Sequence, residues 1–173
     1  MTILVTDRLM LRPLEERDRQ ALIPALNNLN VSRWTGRIPH PYGPEDAEAF
    51  FVYLRRKPED TLVLAITRSD AMIGVIGLEG ELGYWLAEPH WGQGYGTEAA
   101  RAVADHAFEM LEREELLASH HVGNAASRRI LLGLGFVETE EGSAYSNARQ
   151  ADVPHMKLRL TRQAWKEAKG RRR

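Results

Sequence analysis

The chain has 173 residues, enough for a single domain with a sizeable core. With 23 Lys and Arg against 24 Asp and Glu its formal charge is −1, so no global field draws it to nucleic acid or to a membrane surface. There is no cysteine, which excludes disulfides, thiolate metal sites and a cysteine nucleophile together.

The opening MTILVTDRLMLRP has no signal-peptide apolar region, and no apolar run approaches the roughly 20 residues of a membrane span. A soluble, cytoplasmic protein is therefore expected. Arg8–Leu14 alternates, with Leu9, Leu11 and Leu14 on one side, as a half-buried strand does. Glu15–Asn28 carries Leu22, Ile23 and Leu26 at helical spacing in spite of Pro24. Asn30–Pro44, rich in Pro and Gly, reads as a loop or broken helix that holds Trp34, His40 and Tyr42. Pro44-Glu45-Asp46 opens a second helix, proline suiting the first turn and the acids its dipole. Ala49, Phe50, Tyr53 and Leu54 form its expected apolar stripe.

Three strands follow at Leu62–Thr67, Met72–Leu78 and Leu82–Ala87, joined by the short links Arg68-Ser69-Asp70 and Glu79-Gly80-Glu81 that indicate antiparallel hairpins. Thr97–Leu111 is the strongest helix, with Ala100, Val103, Ala104, Ala107, Phe108 and Leu111 on one face. Leu116–Val122 reads as a buried strand, and Ala125–Leu134 as a short helix stopped by Gly133 and Gly135. Phe136–Glu138 and Asp152–Leu160 are the last strands, and Thr161 caps a terminal helix to Lys169. The basic stretch 170–173 is expected to be a disordered, solvated tail. Antiparallel strands mixed with helices predict an α+β fold, a mixed and mostly antiparallel sheet flanked by helices. Within it Leu82–Ala87, the Thr97 helix and Leu116–Val122 make one right-handed βαβ unit with parallel strands.

The segment LGYWLAEPHWGQGYGT, residues 82–97, carries the chemistry. Glycines at 92, 94 and 96 immediately before a helix let backbone amides converge on an anion, where the helix adds about half a positive charge. A phosphate loop of the nucleotide triphosphatases would need Lys-Ser/Thr after the last glycine, and Thr97-Glu98 follows instead. A dinucleotide fingerprint needs G-x-G-x-x-G directly after a strand, and the spacing here is G-x-G-x-G. A turn with no ligand would spend three glycines of backbone entropy on nothing.

Trp91-Gly92-Gln93-Gly94-Tyr95-Gly96-Thr97-Glu98-Ala99 resembles the acetyl-CoA pyrophosphate loop of the GNAT superfamily of N-acetyltransferases, although Trp91 stands where the general pattern has Gln or Arg. Asn124-Ala125-Ala126-Ser127 through Leu134-Gly135-Phe136 resembles that family's Asn-x-x-Ser…Gly-Phe stretch. Its usual charged pair is replaced here by Leu131-Leu132-Gly133. Asp7-Arg8-Leu9-x-Leu11-Arg12 and Leu158-x-Leu160-Thr161-x-x-x-Trp165 are similar to the branch that includes the ribosomal-protein (RimJ/RimL-like) acetyltransferases.

The resemblance implies a fold in which the two parallel strands splay and the pantetheine arm of acetyl-CoA lies in the gap, against main-chain groups of Trp85, Leu86 and Ala87. The pyrophosphate would rest on the loop from Trp91 and Gly92 through Gln93, Gly94, Tyr95 and Gly96 to Thr97. Asn124 would bind the pantetheine chain, and Arg128 or Arg129 would meet phosphate or only solvent.

Direct transfer to a primary amine, with no metal, needs a base, because amines are protonated at pH 7. Glu81 is the first candidate and Glu79 the second, expected on one face of a strand unless both are merely solvated hairpin acids. His120 and His121 should point to opposite faces, one toward the cofactor gap, as core histidines or as titrating groups. Ser127, or else Tyr145, would protonate the leaving thiolate, although Ser127 also suits a helix cap. Trp34, His40 and Tyr42, with Trp85, would line the acceptor pocket or clamp the core. The acceptor is a protein N-terminus or a small-molecule amine, no nucleic-acid or membrane partner is expected, and family resemblance suggests a homodimer. The alternative is a non-catalytic acyl-CoA-binding module on the same fold.

Overall fold

A computed structural model describes residues 2–171. Eight strands form one sheet: β1 (Leu4–Val5), β2 (Met10–Arg12), β3 (Leu62–Arg68), β4 (Ala71–Glu79), β5 (Glu81–Leu86), β6 (Glu115–His121), β7 (Val137–Ser146) and β8 (Ala151–Thr161). Their order is β1-β2-β3-β4-β5-β6-β8-β7, and every neighbouring pair is antiparallel except β5 and β6. The helices are α1 (Arg19–Leu26), α2 (Leu29–Ser32), α3 (Pro44–Arg56), α4 (Tyr95–Glu109), α5 (Ala125–Leu134) and α6 (Arg162–Gly170). Among the described residues no helix is long and apolar enough to cross a membrane.

The two faces of the sheet bury different cores. On one face Leu64, Ile66, Ile76, Leu82, Leu116 and Leu158 pack against Ala100, Val103, Ala107 and Phe108 of α4, together with α5 and α6. On the other, Ala65, Met72 and Val75 pack against Leu22 and Leu26 of α1 and Ala47 and Phe51 of α3. Burying such side chains stabilises the fold by about 1.5–3 kcal/mol each. α6 is clamped by Trp165, whose ring stacks on Phe108 at 5.0 Å and whose Nε1 donates to Asp105 at 2.6 Å. Thr161 caps this helix by accepting from the Ala164 amide at 3.2 Å. Arg12 and Asp18, both buried, form an ion pair of 2.8 Å that ties β2 to the start of α1.

Four expectations need correction. The stripe of α3 is shifted: Ala47 and Phe51 are buried in the core, Phe50 and Leu54 pack at its edge, and Ala49, Phe50 and Tyr53 line a cleft described below. α4 starts at Tyr95, two residues before the expected Thr97, because the Tyr95 ring is itself core. β7 runs from Val137 to Ser146 instead of three residues. Its sequence VETEEGSAYS has almost no apolar alternation because it is the outer edge of the sheet, where charge protects an unpaired strand. Of the expected disordered tail, Gly170 closes α6 and Arg171 follows in a turn, while Arg172 and Arg173 lie outside the described residues.

Candidate functional site

The sheet opens where its only parallel pair ends. β5 and β6 are partnered at Glu81 with Leu117 and Leu82 with Ala118, and beyond that point β5 pairs only with β4 while β6 pairs only with β8. The Ala87 amide donates to Ile73 of β4 at 2.9 Å, which fixes the alternation of the antiparallel ladder. Residues 83, 85 and 87 therefore turn their backbone groups to β4, and residues 84 and 86 turn theirs into the gap. This corrects the expectation for Trp85 and Ala87: Tyr84 and Leu86 present the free edge. The Leu86 carbonyl accepts from the Trp91 indole at 2.7 Å, so Trp91 acts as a brace between strand and loop.

Next to this edge stands the glycine loop. Gly94 is the residue before α4 and has φ +82°, a left-handed conformation that glycine adopts without cost. The amides of Tyr95, Gly96 and Thr97 find no acceptor within the described residues, as befits an open helix N-terminus. At Gly96 a Cβ would come within 2.9 Å of Ile130 Cδ1, so this glycine lets α5 approach α4. Arg8 holds the loop from below: its Nη1 donates to the Gln93 carbonyl at 2.9 Å and its guanidinium pairs with Glu98 at 2.7 Å. Burial raises the Glu98 pKa, but hydrogen bonds from Thr6 and Arg8 outweigh it and keep the carboxyl below its ordinary range. The Gln93 side chain donates to the Pro89 carbonyl and serves the loop itself.

α5 supplies the opposite wall. Asn124 caps it by accepting from the Ser127 amide at 3.1 Å, which leaves the Ser127 hydroxyl free of capping duty. That hydroxyl lies 3.2 Å from the hydroxyl of Tyr84, a residue absent from the sequence-derived candidates. Its signal was the two-residue period of β5, which sets Tyr84 on the same face as the buried Leu82. Burial pushes the Tyr84 phenol up to about 12, so it stays protonated near neutral pH. Tyr145, the other expected donor, is 56% exposed and lies off the cleft. Arg128 is occupied by Glu138 at 2.6 Å, whereas Arg129 turns to the cleft without an ion-pair partner among the described residues.

Across the gap lies the second half of the cleft. Glu79 ends β4 and Glu81 begins β5, as the expected hairpin link implies, and they face each other directly across the hairpin on one face. Two like charges so placed repel. Arg37 pairs with Glu79 at 2.9 Å, and the Ser119 hydroxyl donates to Glu81 at 2.8 Å. His120 and His121 are both buried and both line the cleft, where only one was expected. His120 turns its Nδ1 to the His121 carbonyl at 3.0 Å, with Nε2 buried and 3.9 Å from Glu138. Burial first, and the Arg149 guanidinium second, hold the His121 pKa below its ordinary value, so its ring is neutral at pH 7.

Trp34 and Tyr42 line this half together with Trp85, but His40 does not reach it. The segment 33–37 is strapped to the β7–β8 turn by four hydrogen bonds. Ser146 Oγ donates to Thr35 at 3.2 Å, Asn147 gives its amide to Gly36 at 2.9 Å and its Nδ2 to Arg37 at 2.7 Å, and Arg149 Nε donates to Arg33 at 2.8 Å. Glycine loop, open edge, α5 and the acidic hairpin enclose one continuous cleft of about 1380 Å³. An anion fits at one end, an extended polar chain along the middle, and a cation at the other.

The family model for the acetyltransferase (GNAT) domain matches residues 8–137. The chain belongs to the GNAT acetyltransferase family. This GNAT domain is thus an acetyl-CoA-dependent acyltransferase, and its open β5 edge and free α4 amides suit the arm and the pyrophosphate of that donor. It is 29% identical over 153 residues to the uncharacterized N-acetyltransferase YoaA of Bacillus subtilis, covering 78% of this chain and 82% of the relative. It is 27% identical over 174 residues to the putative ribosomal N-acetyltransferase YdaF of the same organism, covering 91% and 94%. In fold the GNAT domain matches a spermidine N-acetyltransferase from Vibrio cholerae, solved in complex with CoA and spermine. The TM-score is 0.76 at 17% identity, with 92% of this chain and 99% of that one covered.

Proposed function

We propose that this GNAT domain transfers an acetyl group from acetyl-CoA to a primary amine by direct attack, with both substrates bound at once. The observation that carries this reading is the break in β5–β6 pairing after Leu82, which joins an anion seat on one side of the sheet to a carboxylate pair on the other. When bound, acetyl-CoA supplies an activated acyl thioester. The amides of Tyr95, Gly96 and Thr97, with Arg129, would hold its phosphates, and the edge of Tyr84 and Leu86 would align its arm by strand addition. Of these, the Leu86 amide and the Tyr84 backbone are the groups able to hydrogen-bond a chain laid in the gap, since the Leu86 carbonyl is taken by Trp91.

Glu81 is the base in this reading. It lines the cleft, accepts only from Ser119 and is paired with no cation, so it can take a proton from an ammonium or through a water. Glu79, neutralised by Arg37, is placed to orient the nitrogen. The Ser127 hydroxyl, backed by protonated Tyr84, would return a proton to the departing thiolate. His121, neutral and in the cleft wall, is a relay for the proton leaving the amine.

Initial rates measured while both substrates are varied test the scheme, with the acetylated amine identified by mass spectrometry. Intersecting reciprocal plots are expected, as direct transfer requires. Parallel plots would instead indicate an acetylated enzyme, and tight CoA binding with no transfer to any amine would favour the binding module.

A further inference from the structure

We propose that Arg8 is a positioning residue for donor binding: from the turn between β1 and β2 it fixes the glycine loop in the shape that receives the pyrophosphate of acetyl-CoA. This rests on the reading above that the free amides of α4 hold that pyrophosphate. Arg8 lies in the Asp7-Arg8-Leu9 stretch, to which the transfer scheme gives no role. Its place is set by its hairpin. Leu4 pairs with Leu11 and Val5 with Met10, and Met10 pairs onward with Thr67 of β3, so the tip is anchored to the sheet. Within the tip the Thr6 amide donates to the Leu9 carbonyl at 2.9 Å and the Leu9 amide to Thr6 Oγ1 at 3.0 Å. A turn braced in this way presents Arg8 at a defined position.

From that position Arg8 meets the seat at several points. Its Nη1 donates to the Gln93 carbonyl at 2.9 Å, across 85 positions of chain. The Trp91 and Gln93 side chains, by contrast, tie the loop to Leu86 and Pro89 close beside it. The guanidinium lies 4.7 Å from the centre of the ring of Tyr95, the first residue of α4 and itself core. A Cβ on Gly94 would come within 3.2 Å of Arg8 Nη2, so glycine there lets the guanidinium close on the loop. The same turn also grips the helix. Glu98 accepts from Thr6 Oγ1 at 2.6 Å, from the Arg8 amide at 2.9 Å and from Arg8 Nε at 2.7 Å.

Glu98 separates positioning from plain attraction. It stands in the first turn of α4, where a carboxylate opposes the anion that the free amides are to bind. Its hydrogen bonds from Thr6 and Arg8 outweigh burial and keep it ionised. Arg8 is thus charge-balanced, and a pair with one half-exposed partner adds little stability alone. A seat that needed only attraction would be better served by Arg8 unpaired and Glu98 absent. The contribution of the pair is geometric: it holds the guanidinium against the Gln93 carbonyl, and a loop ordered beforehand loses less freedom when a ligand binds.

The test uses Arg8→Ala, Arg8→Lys and Glu98→Gln with two donors, acetyl-CoA and S-acetylpantetheine, which keeps the arm and lacks the pyrophosphate. By calorimetry Arg8→Ala should bind CoA about tenfold more weakly, the scale of lost hydrogen bonds to a charged group. It should raise the acetyl-CoA KM with kcat unchanged, and leave the S-acetylpantetheine KM within about twofold of wild type. In the unliganded protein, amide hydrogen exchange across residues 88–99 should quicken. An equal loss with both donors would overturn the proposal. Glu98→Gln decides the sign: positioning requires weaker CoA binding although a negative charge has left the seat, and tighter binding would overturn it. Arg8→Lys keeps the charge without the planar fork and should resemble Arg8→Ala, so full recovery of CoA affinity would also overturn it. Gly94→Glu tells the two readings apart. If it leaves CoA affinity intact, the seat itself is misplaced; if it weakens CoA while Arg8→Ala does not, only the positioning role falls.

Discussion

The donor half and the acceptor half of this cleft are built in opposite ways. In this reading most of the donor half comes from neighbours in sequence, the β5 edge, the glycine loop and the first turn of α4 lying within residues 81–97, with Ser127 and Arg129 of α5 opposite. The acceptor half is gathered from afar, its wall at residues 33–37 fixed by Ser146, Asn147 and Arg149 more than a hundred positions later. A site built locally is rigid and keeps its chemistry wherever the fold is kept. A site assembled from distant loops can change its lining without disturbing the sheet, which suits a family in which one donor serves many acceptors.

The sharpest way to break this contrast is to damage one half and measure both. Gly94→Glu forces a side chain into φ +82° and sets a negative charge where phosphate is to bind. CoA affinity should fall about 100-fold or more by calorimetry, with the far-UV circular dichroism of the wild type, since like charge at a helix N-terminus adds to the backbone strain. If CoA affinity is retained, the loop is not the anion seat. Glu81→Gln should lower kcat by about 100-fold, the usual contribution of a general base, and leave the CoA dissociation constant within about twofold. Equal losses in both would mean that Glu81 shapes the cleft instead of moving a proton.

Asn147→Ala removes one of the four bonds that strap the acceptor wall. A bond of this kind is worth about 1 kcal/mol, so the acceptor KM should rise about fivefold while the CoA affinity stays put. A change in CoA affinity would show that the halves are coupled. The smallest effect concerns pH. The folded His121 pKa is depressed below 6.5, so between the two values the unfolded chain binds more protons. Stability is therefore full above about pH 6.5 and falls as pH drops toward the lower folded value. Thermal melts at pH 7.5 and 5.5 should show a larger loss for the wild type than for His121→Gln.

The same contrast explains what could be read from the chain alone. The strands at 62–86, the helix after the glycine loop and α5 were legible because each has a strong period and a clear stop signal. Tyr84 was visible in principle through its two-residue spacing from Leu82, but no local pattern says that its hydroxyl meets Ser127. Tyr145 and Arg128 were misjudged for a related reason: residue type suggested a role, and only the sheet edge and Glu138 decided where the side chains went. The backbone register that puts Tyr84 and Leu86 in the gap, in place of Trp85 and Ala87, turns on a single hydrogen bond from Ala87 to Ile73.

By itself the sequence determined the α+β class, the order of elements, the βαβ unit and the glycine loop before α4, because those follow from periodicity, turn chemistry and glycine geometry within a few residues. The tertiary structure alone decided that β5 and β6 part after Leu82, that the Tyr84 and Ser127 hydroxyls meet, and that Phe50 and Tyr53 line a cleft. Those arrangements depend on contacts between segments far apart in the chain, whose free energy is set by packing and which leave no local pattern behind.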